Sequence, residues 1–436
     1  MPDHPDFDVV VLGGDPAGIR VAGELARAGR TVALIEPEPE LGEVGEVGAP
    51  AAPPRPRSAA LSAAGVTVLS GPARIVRPGT VEVVDGAAGK AAHGYTDLVL
   101  CTAGEPIRPA LPGLADIPTW TSDEALCRPD LPRRLVVLGG GPAGCELAQL
   151  YAASGSQVTV VDEPDRLLAT EAPFLGTAVG DALRRTGAVL RLGVRLDRVD
   201  RTDTGFRLCL GDGPGIVADR LLIATERRPR LDDLGLECLG IDPAAELTAD
   251  ETGRVAPHVW AAGAVTGGPP GTRTAAAYQA DVVAANILGR RRKAGHRAIP
   301  RVVHTTPAAY AVGVSPGEDG DDHDELITAG VGLFEIAPPR ITSWERARGV
   351  LPDGGRRGRL ELYADRSRGI LVGAAAVGPH AAEWMSEVAL AIQAEIQLCT
   401  LAEVVRAYPT YGEAIGIAAR ELIERLRGKE GAHERT

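Results

Sequence analysis

The chain has 436 residues, enough for two or three domains, and its formal net charge is −12 because 58 acidic residues outnumber 46 lysines and arginines. That charge argues against nucleic acid as a partner, since phosphate binding needs a basic surface. The hydrophobic content is 44% without an apolar run long enough to span a bilayer, and the start of the chain, Met1 to Asp8, is polar and acidic. We therefore expect a globular, cytoplasmic protein with no signal peptide and no membrane partner.

The cysteine and histidine patterns predict neither a disulfide pair nor a metal site. The six cysteines are scattered without a CxxC or CxxxxC pair, and the eight histidines lack metal-ligand spacing. Most of the cysteines fall in strand or helix patterns, where a free cysteine usually behaves as a small buried hydrophobe. They are Cys101, Cys127, Cys145, Cys209, Cys238 and Cys399.

Two strand–helix–strand units of the same pattern occur along the chain. Each begins with an apolar strand that runs into glycines, continues into a helix that opens with proline, and closes with a strand that ends in an acidic residue. The first unit consists of residues 8–13, 16–28 and 31–36, and the second of residues 134–139, 142–154 and 157–162. This internal repeat predicts two nucleotide-binding domains.

Three later apolar strands indicate how these domains are connected. Residues 98–104 and 221–225 each end in a Thr turn, and residues 259–263 return the chain to the first domain. The second domain is therefore predicted to be inserted in the first, with its first residues near 115 and its last near 240.

A third domain is predicted after the basic run 290–293, which we interpret as a solvated tether. Residues 360–363 and 370–377 are typical of hairpin strands, and the acidic run 318–325 of a solvated loop. Apolar residues then recur at helical spacing, which indicates either core or half of a dimer interface; the pattern favours core. They are Met385, Val388, Ala389, Ile392 and Ile396.

The second unit carries a complete GxGxxG pattern in Gly139, Gly141 and Gly144. The first glycine makes the tight turn, the second lets the backbone approach a pyrophosphate, and the third packs the helix on the strand. Asp162 ends the following strand and can accept hydrogen bonds from both ribose hydroxyls. Because Glu163 beside it would repel a 2′-phosphate, the pattern predicts NADH in preference to NADPH.

The first unit departs from this pattern at its second glycine, where Asp15 stands, although Glu36 is placed correctly for a ribose. Asp15 is a good helix N-cap, and Pro16 suits the first helical position. A carboxylate at that cap occupies the place of a pyrophosphate, at a cost of up to about 4 kcal/mol for charges roughly 4 Å apart at an effective dielectric near 20. The other interpretation is a tolerated substitution. The segment comprises Gly13, Gly14, Asp15, Pro16, Ala17 and Gly18.

Both fingerprints and the Thr turns together resemble the class I pyridine nucleotide–disulfide oxidoreductases, which include dihydrolipoamide dehydrogenase, mercuric reductase and NAD(P)H–quinone reductases. Residues 119–126 and 134–147 resemble the entry to the NAD domain of that family, and residues 305–313 resemble the start of its dimerisation domain. The resemblance implies an α/β fold of two Rossmann-like domains, the second inserted in the first, plus an α+β C-terminal dimerisation domain. It implies an FAD-type domain over 1–114 and 241–296, an NAD domain over 115–240, a dimerisation domain over 297–436, and a homodimer.

The resemblance also assigns functional positions. Thr102, Gly104, Gly263 and Ala264 match the FAD site, but Ala264 replaces the family's ribityl-binding Asp, and one lost charged hydrogen bond costs roughly 1.5–3 kcal/mol. Glu146 matches a residue that lies beside the nicotinamide. Tyr408 replaces the family's acid–base His, as in some cysteine-poor quinone-reductase relatives, and Glu413 matches the Glu partner of that His. Tyr408 could donate a proton to a quinone, but an interface aromatic is the favoured interpretation of this residue.

The family's redox-active cysteines are absent. The segment Leu41–Pro50 resembles the redox motif, but its two cysteine positions fall on Gly45 and Ala49, and the proline-rich stretch 50–56 is not expected to be helical. Disulfide reduction is therefore rejected, because it needs a thiolate pair. The favoured hypothesis is a flavin-dependent NADH dehydrogenase that reduces a quinone or another diffusible small molecule. The alternatives are a member that has lost FAD and catalyses a cyclisation or isomerisation, and a non-catalytic binding protein.

Overall fold

The computed structural model describes residues 5–36, 57–85, 89–127, 130–203, 205–211, 213–266, 273–315, 326–333, 358–408 and 410–433. The segment resembling the redox motif, the proline-rich stretch after it and the acidic run 318–325 lie outside these residues. The chain divides into two compact units. The first contains Met1–Arg108, Leu126–Pro129 and Glu226–Gly295, and the second contains Pro109–Ala125, Asp130–Thr225 and His296–Thr436. The first unit is thus assembled from chain on both sides of the second fingerprint, and the predicted domain bounds stay a prediction.

The first unit is built on an eight-stranded sheet in which the central strand β1 (Phe7–Leu12) pairs in parallel with both neighbours. A valine run forms this strand because both of its faces are buried: Val9 and Val11 pack under helices, whereas Val10 and Leu12 face the opposite layer. The other strands are β2 (Val32–Glu36), β3 (Val66–Ser70), β4 (Ala73–Arg77), β5 (Thr80–Asp85), β6 (Gly89–Leu100), β17 (Arg254–Ala256) and β18 (Val259–Ala261).

Helices and one small ribbon complete this unit. The predicted first helix is confirmed as α1 (Pro16–Arg27), which packs against α6 (Arg273–Ile287). The two-stranded ribbon pairs β7 (Gly104–Pro106) with β16 (Arg227–Pro229). The remaining elements are α2 (Arg57–Ala63) and short 3-10 helices over Leu236–Leu239 and Ala264–Thr266. The basic run 290–293 is exposed, in agreement with the predicted tether.

The nucleotide-binding half of the second unit has a five-stranded parallel sheet in the order β11-β10-β9-β15-β8. These strands are β8 (Thr119–Thr121), β9 (Arg134–Leu138), β10 (Gln157–Asp162), β11 (Val189–Leu192) and β15 (Arg220–Ile223). The helices are α3 (Ser122–Cys127), α4 (Pro142–Ala153) and α5 (Pro173–Arg185), with a 3-10 helix over Leu114–Asp116. An antiparallel sheet adds β12 (Leu196–Thr202), β13 (Gly205–Leu210) and β14 (Ile216–Ala218).

The C-terminal half of the second unit is an antiparallel sheet of five strands covered by helices. Its strands are β19 (Arg301–Val303), β20 (Ala308–Gly313), β21 (Leu326–Gly332), β22 (Arg359–Asp365) and β23 (Ile370–Gly378), which confirms the predicted hairpin. Its helices are α7 (Ala381–Trp384), α8 (Ser386–Gln393), α9 (Leu398–Glu403) and α10 (Glu413–His433). Met385, Val388 and Ile392 are buried in its core, so the core interpretation of the helical stripe is confirmed.

No helix of the described residues is long and apolar enough to cross a membrane. The same part of the chain contains no group of three or more histidine, cysteine or acidic side chains placed to hold a metal ion.

Candidate functional site: two nucleotide cradles

The two fingerprints fold into the same strand–turn–helix shape. The first glycine of each has a positive φ, +102° at Gly13 and +111° at Gly139, which a side chain rarely adopts. At the last glycine of each turn, a Cβ would clash with the backbone. A Cβ on Gly18 would lie 2.0 Å from the carbonyl oxygen of Gly13, and a Cβ on Gly144 would lie 2.0 Å from that of Gly139. Each turn therefore needs glycine at both ends, so that the helix N-terminus can lie directly over the strand.

The two helices begin differently. The N-cap of α4 is Gly141, no side chain caps the helix, and a Cβ at Gly141 would meet no atom within 4 Å. In α1 the N-cap is Asp15, whose Oδ1 accepts a hydrogen bond of 2.8 Å from the Gly18 amide. The unpaired amides of a helix N-terminus favour anions. The start of α4 is therefore open to a phosphate, whereas at α1 the chain's own carboxyl group has taken that place.

Each unit places a carboxyl group from its second strand against the turn. Asp162 at the end of β10 accepts a hydrogen bond of 2.8 Å from the Gly140 amide, and burial raises the pKa of Asp162 above its usual range. Glu36 at the end of β2 lies so close to Gly14 that a Cβ there would come within 2.1 Å of Glu36 Oε2. Both carboxyl groups lie beside the second residue of the turn, where sequence reasoning places a ribose.

The environment of the Asp15 carboxyl disfavours its ionised form. Burial raises its pKa to about 6, the backbone amides of Gly18 and Ala17 oppose that rise, and the nearby charge of Glu36 adds to it. Its second oxygen, Oδ2, lies 2.7 Å from the position of a Cβ on Gly263. The carboxyl therefore fills the space between the helix start and the end of β18, and it changes charge within about a pH unit of neutrality.

The strand-end residues assigned to the first site lie around the same turn. Thr102 follows β6, is 6% exposed, and its hydroxyl has no hydrogen-bond partner among the described residues. The Gly104 carbonyl accepts a hydrogen bond of 3.0 Å from Nε of Arg227. Ala264 lies beside Gly104: the Cβ of Ala264 is 3.6 Å from where a Cβ on Gly104 would be. A buried hydroxyl without a partner is costly, so Thr102 marks a position that a polar ligand atom would satisfy.

Whether this cradle fits FAD depends on the charge of Asp15. An ionised Asp15 carboxylate at the helix start would repel a diphosphate that binds there, because both groups are anions. A neutral carboxyl can still accept from the Gly18 amide through one oxygen and donate its proton to a phosphate oxygen through the other. With Asp15 neutral, the turn, Glu36 and Thr102 suit the diphosphate and ribose of FAD. Ala264 has no polar side chain to make the ribityl contact that the family resemblance predicts at this position.

Two amide side chains that sequence reasoning missed hold the cradles in place. Gln279 in α6 accepts a hydrogen bond of 2.8 Å from the Gly263 amide and donates to the Thr266 hydroxyl at 3.1 Å. Gln149 in α4 accepts from the Thr306 amide at 2.6 Å and donates to the Thr306 carbonyl at 3.1 Å. The only sequence signal is the spacing of Glu146 and Gln149, three apart and so on one face of α4.

Glu146 has a backbone partner from the C-terminal half of its unit: its Oε1 accepts a hydrogen bond of 2.7 Å from the His304 amide. Together with Gln149, this carboxylate fixes α4 to the strand connection 304–306. Its predicted position beside a nicotinamide is therefore compatible with a second role as an anchor of the helix that carries the cradle.

The C-terminal pair lies near the start of α10. Tyr408 is 60% exposed in the single chain. Glu413 is the first residue of α10, and its Oε1 accepts a hydrogen bond of 3.1 Å from the Thr410 amide. Glu413 thus closes the turn between Tyr408 and the helix, and its function in a proton transfer stays a prediction.

All six cysteines are free. Burial raises the pKa of Cys101 well above its usual range and that of Cys145 to about 12, with the charges of Asp162 and Glu146 adding to the rise at Cys145. Since the thiolate is the reactive form, these two buried thiols are inert at neutral pH. They lie behind the two turns as small packing groups.

Comparison with known proteins agrees with this architecture. The family model described as pyridine nucleotide-disulphide oxidoreductase matches residues 7–280, and the model of that family's dimerisation domain matches residues 299–419. A mercuric reductase from Acidithiobacillus ferrooxidans is 32% identical over 81% of this chain and 63% of its own length, so the chain spans less than two thirds of that relative. A dihydrolipoyl dehydrogenase from Pseudomonas aeruginosa is 32% identical over 83% of this chain and 76% of its own length.

Solved structures show the same fold. LpdA from Mycobacterium tuberculosis superposes with a TM-score of 0.77 at 24% identity, covering 95% of this chain and 99% of its own. The HOCl-induced flavoprotein disulfide reductase RclA from Escherichia coli gives 0.78 at 20% identity, with the same coverage. At these identities the structures establish the fold alone. The family models and the curated relatives go further, and they show that this chain belongs to the class I pyridine nucleotide–disulfide oxidoreductases, a family that depends on FAD and NAD(P)H.

Proposed function

We propose that the protein is a flavin-dependent NADH dehydrogenase that passes electrons to a quinone or another diffusible small molecule, and not to a disulfide. The observation that carries the nucleotide part is the open N-terminus of α4 at Gly141, with Asp162 held beside the turn by the Gly140 amide. Asp162 and Glu163 favour a ribose with free hydroxyls over a 2′-phosphate, which supports NADH in preference to NADPH.

The cysteines support the exclusion of a disulfide substrate. Gly45 and Ala49 stand at the two positions of the family's redox pair, and neither side chain has a sulfur. Cys101 and Cys145, which lie behind the two turns, are buried and hold their protons at neutral pH. This supports a diffusible electron acceptor in place of a cysteine pair.

The chemistry that FAD supplies when bound is acceptance of a hydride from NADH and delivery of the electrons to an acceptor. The chain's own residues bind and orient. The helix start at Gly141 holds a diphosphate, Asp162 accepts from the ribose hydroxyls, and Glu146 fixes α4. We propose that Tyr408 donates a proton to a quinone oxygen and that Glu413 fixes the turn that carries Tyr408.

The absorbance spectrum of the purified protein tests this proposal. We expect flavin bands, either at once or after addition of FAD, that bleach with NADH and return with a quinone. NADPH should bleach them more slowly, because a 2′-phosphate meets the carboxylates of Asp162 and Glu163. Asp162→Ala is the matched control, since it should slow bleaching by NADH while leaving the flavin bands intact. A protein that takes up FAD but is not bleached by either nucleotide would refute the dehydrogenase.

A second candidate follows from Asp15 and Ala264, which both weaken the first cradle for FAD. A member of the family that has lost FAD would use the pocket for a non-redox reaction, such as a cyclisation or isomerisation, or would bind NADH without catalysis. A protein that stays colourless with FAD at every pH, and still binds NADH, would establish this candidate in place of the dehydrogenase.

A further inference from the structure

We propose that Asp15 determines when the first cradle accepts FAD: the diphosphate binds only while the Asp15 carboxyl carries a proton, so that FAD binding takes up about one proton wherever this carboxyl is ionised in the free protein. This inference rests on the proposed function, in which the first cradle takes FAD. It makes Asp15 a specificity-determining residue for cofactor loading, a role that the open cradle at Gly141 does not need.

The geometry places the carboxyl where the diphosphate must lie. Oδ1 of Asp15 holds the Gly18 amide at 2.8 Å, and Oδ2 points into the space in front of Gly263. The corresponding position in α4, Gly141, faces open space. The two cradles share the sequence Pro-Ala-Gly after this position, so the carboxyl is the main chemical difference between the two helix starts.

In the part of the chain that the structure describes, no cation lies beside Asp15 to keep it ionised next to a phosphate. Among the described residues, the charge of Glu36 in β2 raises the pKa of Asp15, and Asp15 in turn raises the pKa of the Cys101 thiol after β6, which is neutral. Helix α6 contributes the uncharged Gln279, which binds the Gly263 amide. Burial and Glu36 already raise the pKa of Asp15 to about 6, and a diphosphate adds another like charge. Binding therefore protonates the carboxyl.

A second observation points to a ligand at this turn. The Thr102 hydroxyl is buried and has no hydrogen-bond partner among the described residues. Thr102 lies against the turn, because its Cα is 2.9 Å from where a Cβ on Gly13 would be. A neutral Asp15 would donate a hydrogen bond to one phosphate oxygen, and the Thr102 hydroxyl would form a hydrogen bond with another polar atom of the ligand. The cradle is then complete for an anion.

Binding of FAD to the FAD-free protein tests the proposal through quenching of flavin fluorescence. Because one proton is linked to binding, the dissociation constant should rise about 100-fold between about pH 5 and about pH 8. Asp15→Asn and Asp15→Gly should bind FAD with little dependence on pH. At the higher pH, Asp15→Gly should bind FAD more tightly than the unmodified protein does. Calorimetry in two buffers of different ionisation enthalpy should show uptake of about one proton near pH 8 for the unmodified protein and about none for either variant.

The second cradle offers a reciprocal control. The φ of Gly141 is −73° and the space at its Cβ is open, so Gly141→Asp places the same carboxyl at the start of α4 without a clash. This variant should bind NADH weakly at high pH and recover as the pH falls, whereas Gly141→Asn should show a much smaller pH dependence.

Three outcomes would overturn the inference. The first is an affinity of the unmodified protein for FAD that does not change with pH. The second is an Asp15→Asn variant that keeps the original pH dependence. The third is an Asp15→Asn variant that fails to bind FAD at any pH while Asp15→Gly binds it, because exclusion would then come from the shape of the side chain and not from its charge. Failure of Asp15→Gly and Asp15→Asn to bind FAD at any pH would remove this inference and the proposed function together. Proton-linked binding without oxidation of NADH would remove the proposed function alone.

Discussion

At the scale of single residues, Asp15 links the stability of the chain to the charge of its first cradle. Asparagine and aspartate are equally good N-caps, so the helix start itself tolerates either residue. The carboxylate differs because it is buried beside Glu36, and among the described residues the backbone amides of Gly18 and Ala17 are the groups that stabilise its charge. The folded protein therefore binds the Asp15 proton more tightly than the unfolded chain does.

Asp15→Asn should consequently change how stability depends on pH. The folded pKa of about 6 exceeds the reference value of 3.8, so the stability contributed by the proton is fully present below about pH 4 and lost as the pH rises through 6. In the absence of FAD, the Asn variant should be more stable than the unmodified protein by about 1–3 kcal/mol near pH 8 and equal to it near pH 4. Urea unfolding at several pH values measures this difference, and parallel curves for the two proteins would contradict the assignment.

At the scale of elements, the start of α4 separates a glycine that the fold needs from one that the ligand needs. A Cβ at Gly144 would lie 2.0 Å from the Gly139 carbonyl oxygen, whereas a Cβ at Gly141 would meet nothing. The backbone at Gly141, with a φ of −73°, accepts any residue. Both glycines belong to the same sequence pattern, and the clash at Gly144 and the open space at Gly141 agree with the different roles expected of them.

Gly141→Ala and Gly144→Ala form a matched pair on this element. Gly141→Ala should leave the melting temperature within about 2 °C and weaken NADH binding by roughly tenfold or more, because its methyl group enters the space of the diphosphate. Gly144→Ala should lower both the melting temperature and the affinity, because helix and strand must separate. Differential scanning fluorimetry with an NADH titration measures both quantities. Full NADH affinity in Gly141→Ala would show that the diphosphate lies elsewhere.

The elements that local pattern specifies were predictable. Both strand–turn–helix units, the C-terminal hairpin and the buried helical stripe follow from periodicity and from glycine and proline positions. The contacts of Gln149 with Thr306, and of Gln279 with Gly263, join residues 157 and 16 positions apart, so no local pattern encodes them. The sequence also predicts that the Asp15 carboxyl caps the first helix. The burial of this carboxyl and its proximity to Gly263 depend on packing and could not be predicted from the sequence.

At the scale of the whole molecule, the match to a dimerisation domain indicates a homodimer, and the C-terminal half carries apolar side chains that a single chain leaves uncovered. Such residues tend to mark protein–protein interfaces when they cluster. Within residues 386–408 the exposed fractions are 61% for Leu390, 44% for Val404, 97% for Val405 and 60% for Tyr408. Local periodicity does not identify these residues, because an apolar residue in the sequence can belong either to a core or to an interface.

Val405→Asp should therefore separate the dimer. Burying an unpaired carboxylate in an interface is costly, so the dissociation constant of the dimer should rise by about 100-fold or more while the monomer stays folded. Leu131→Asp is the control, because Leu131 is 43% exposed and precedes β9, outside the residues matched by the dimerisation model. Sedimentation velocity across a dilution series distinguishes the two variants. If both remain dimeric, Val405 does not lie in the interface. If the unmodified protein itself sediments as a monomer, Tyr408 stays exposed to solvent and its proposed proton transfer would have to occur within one chain.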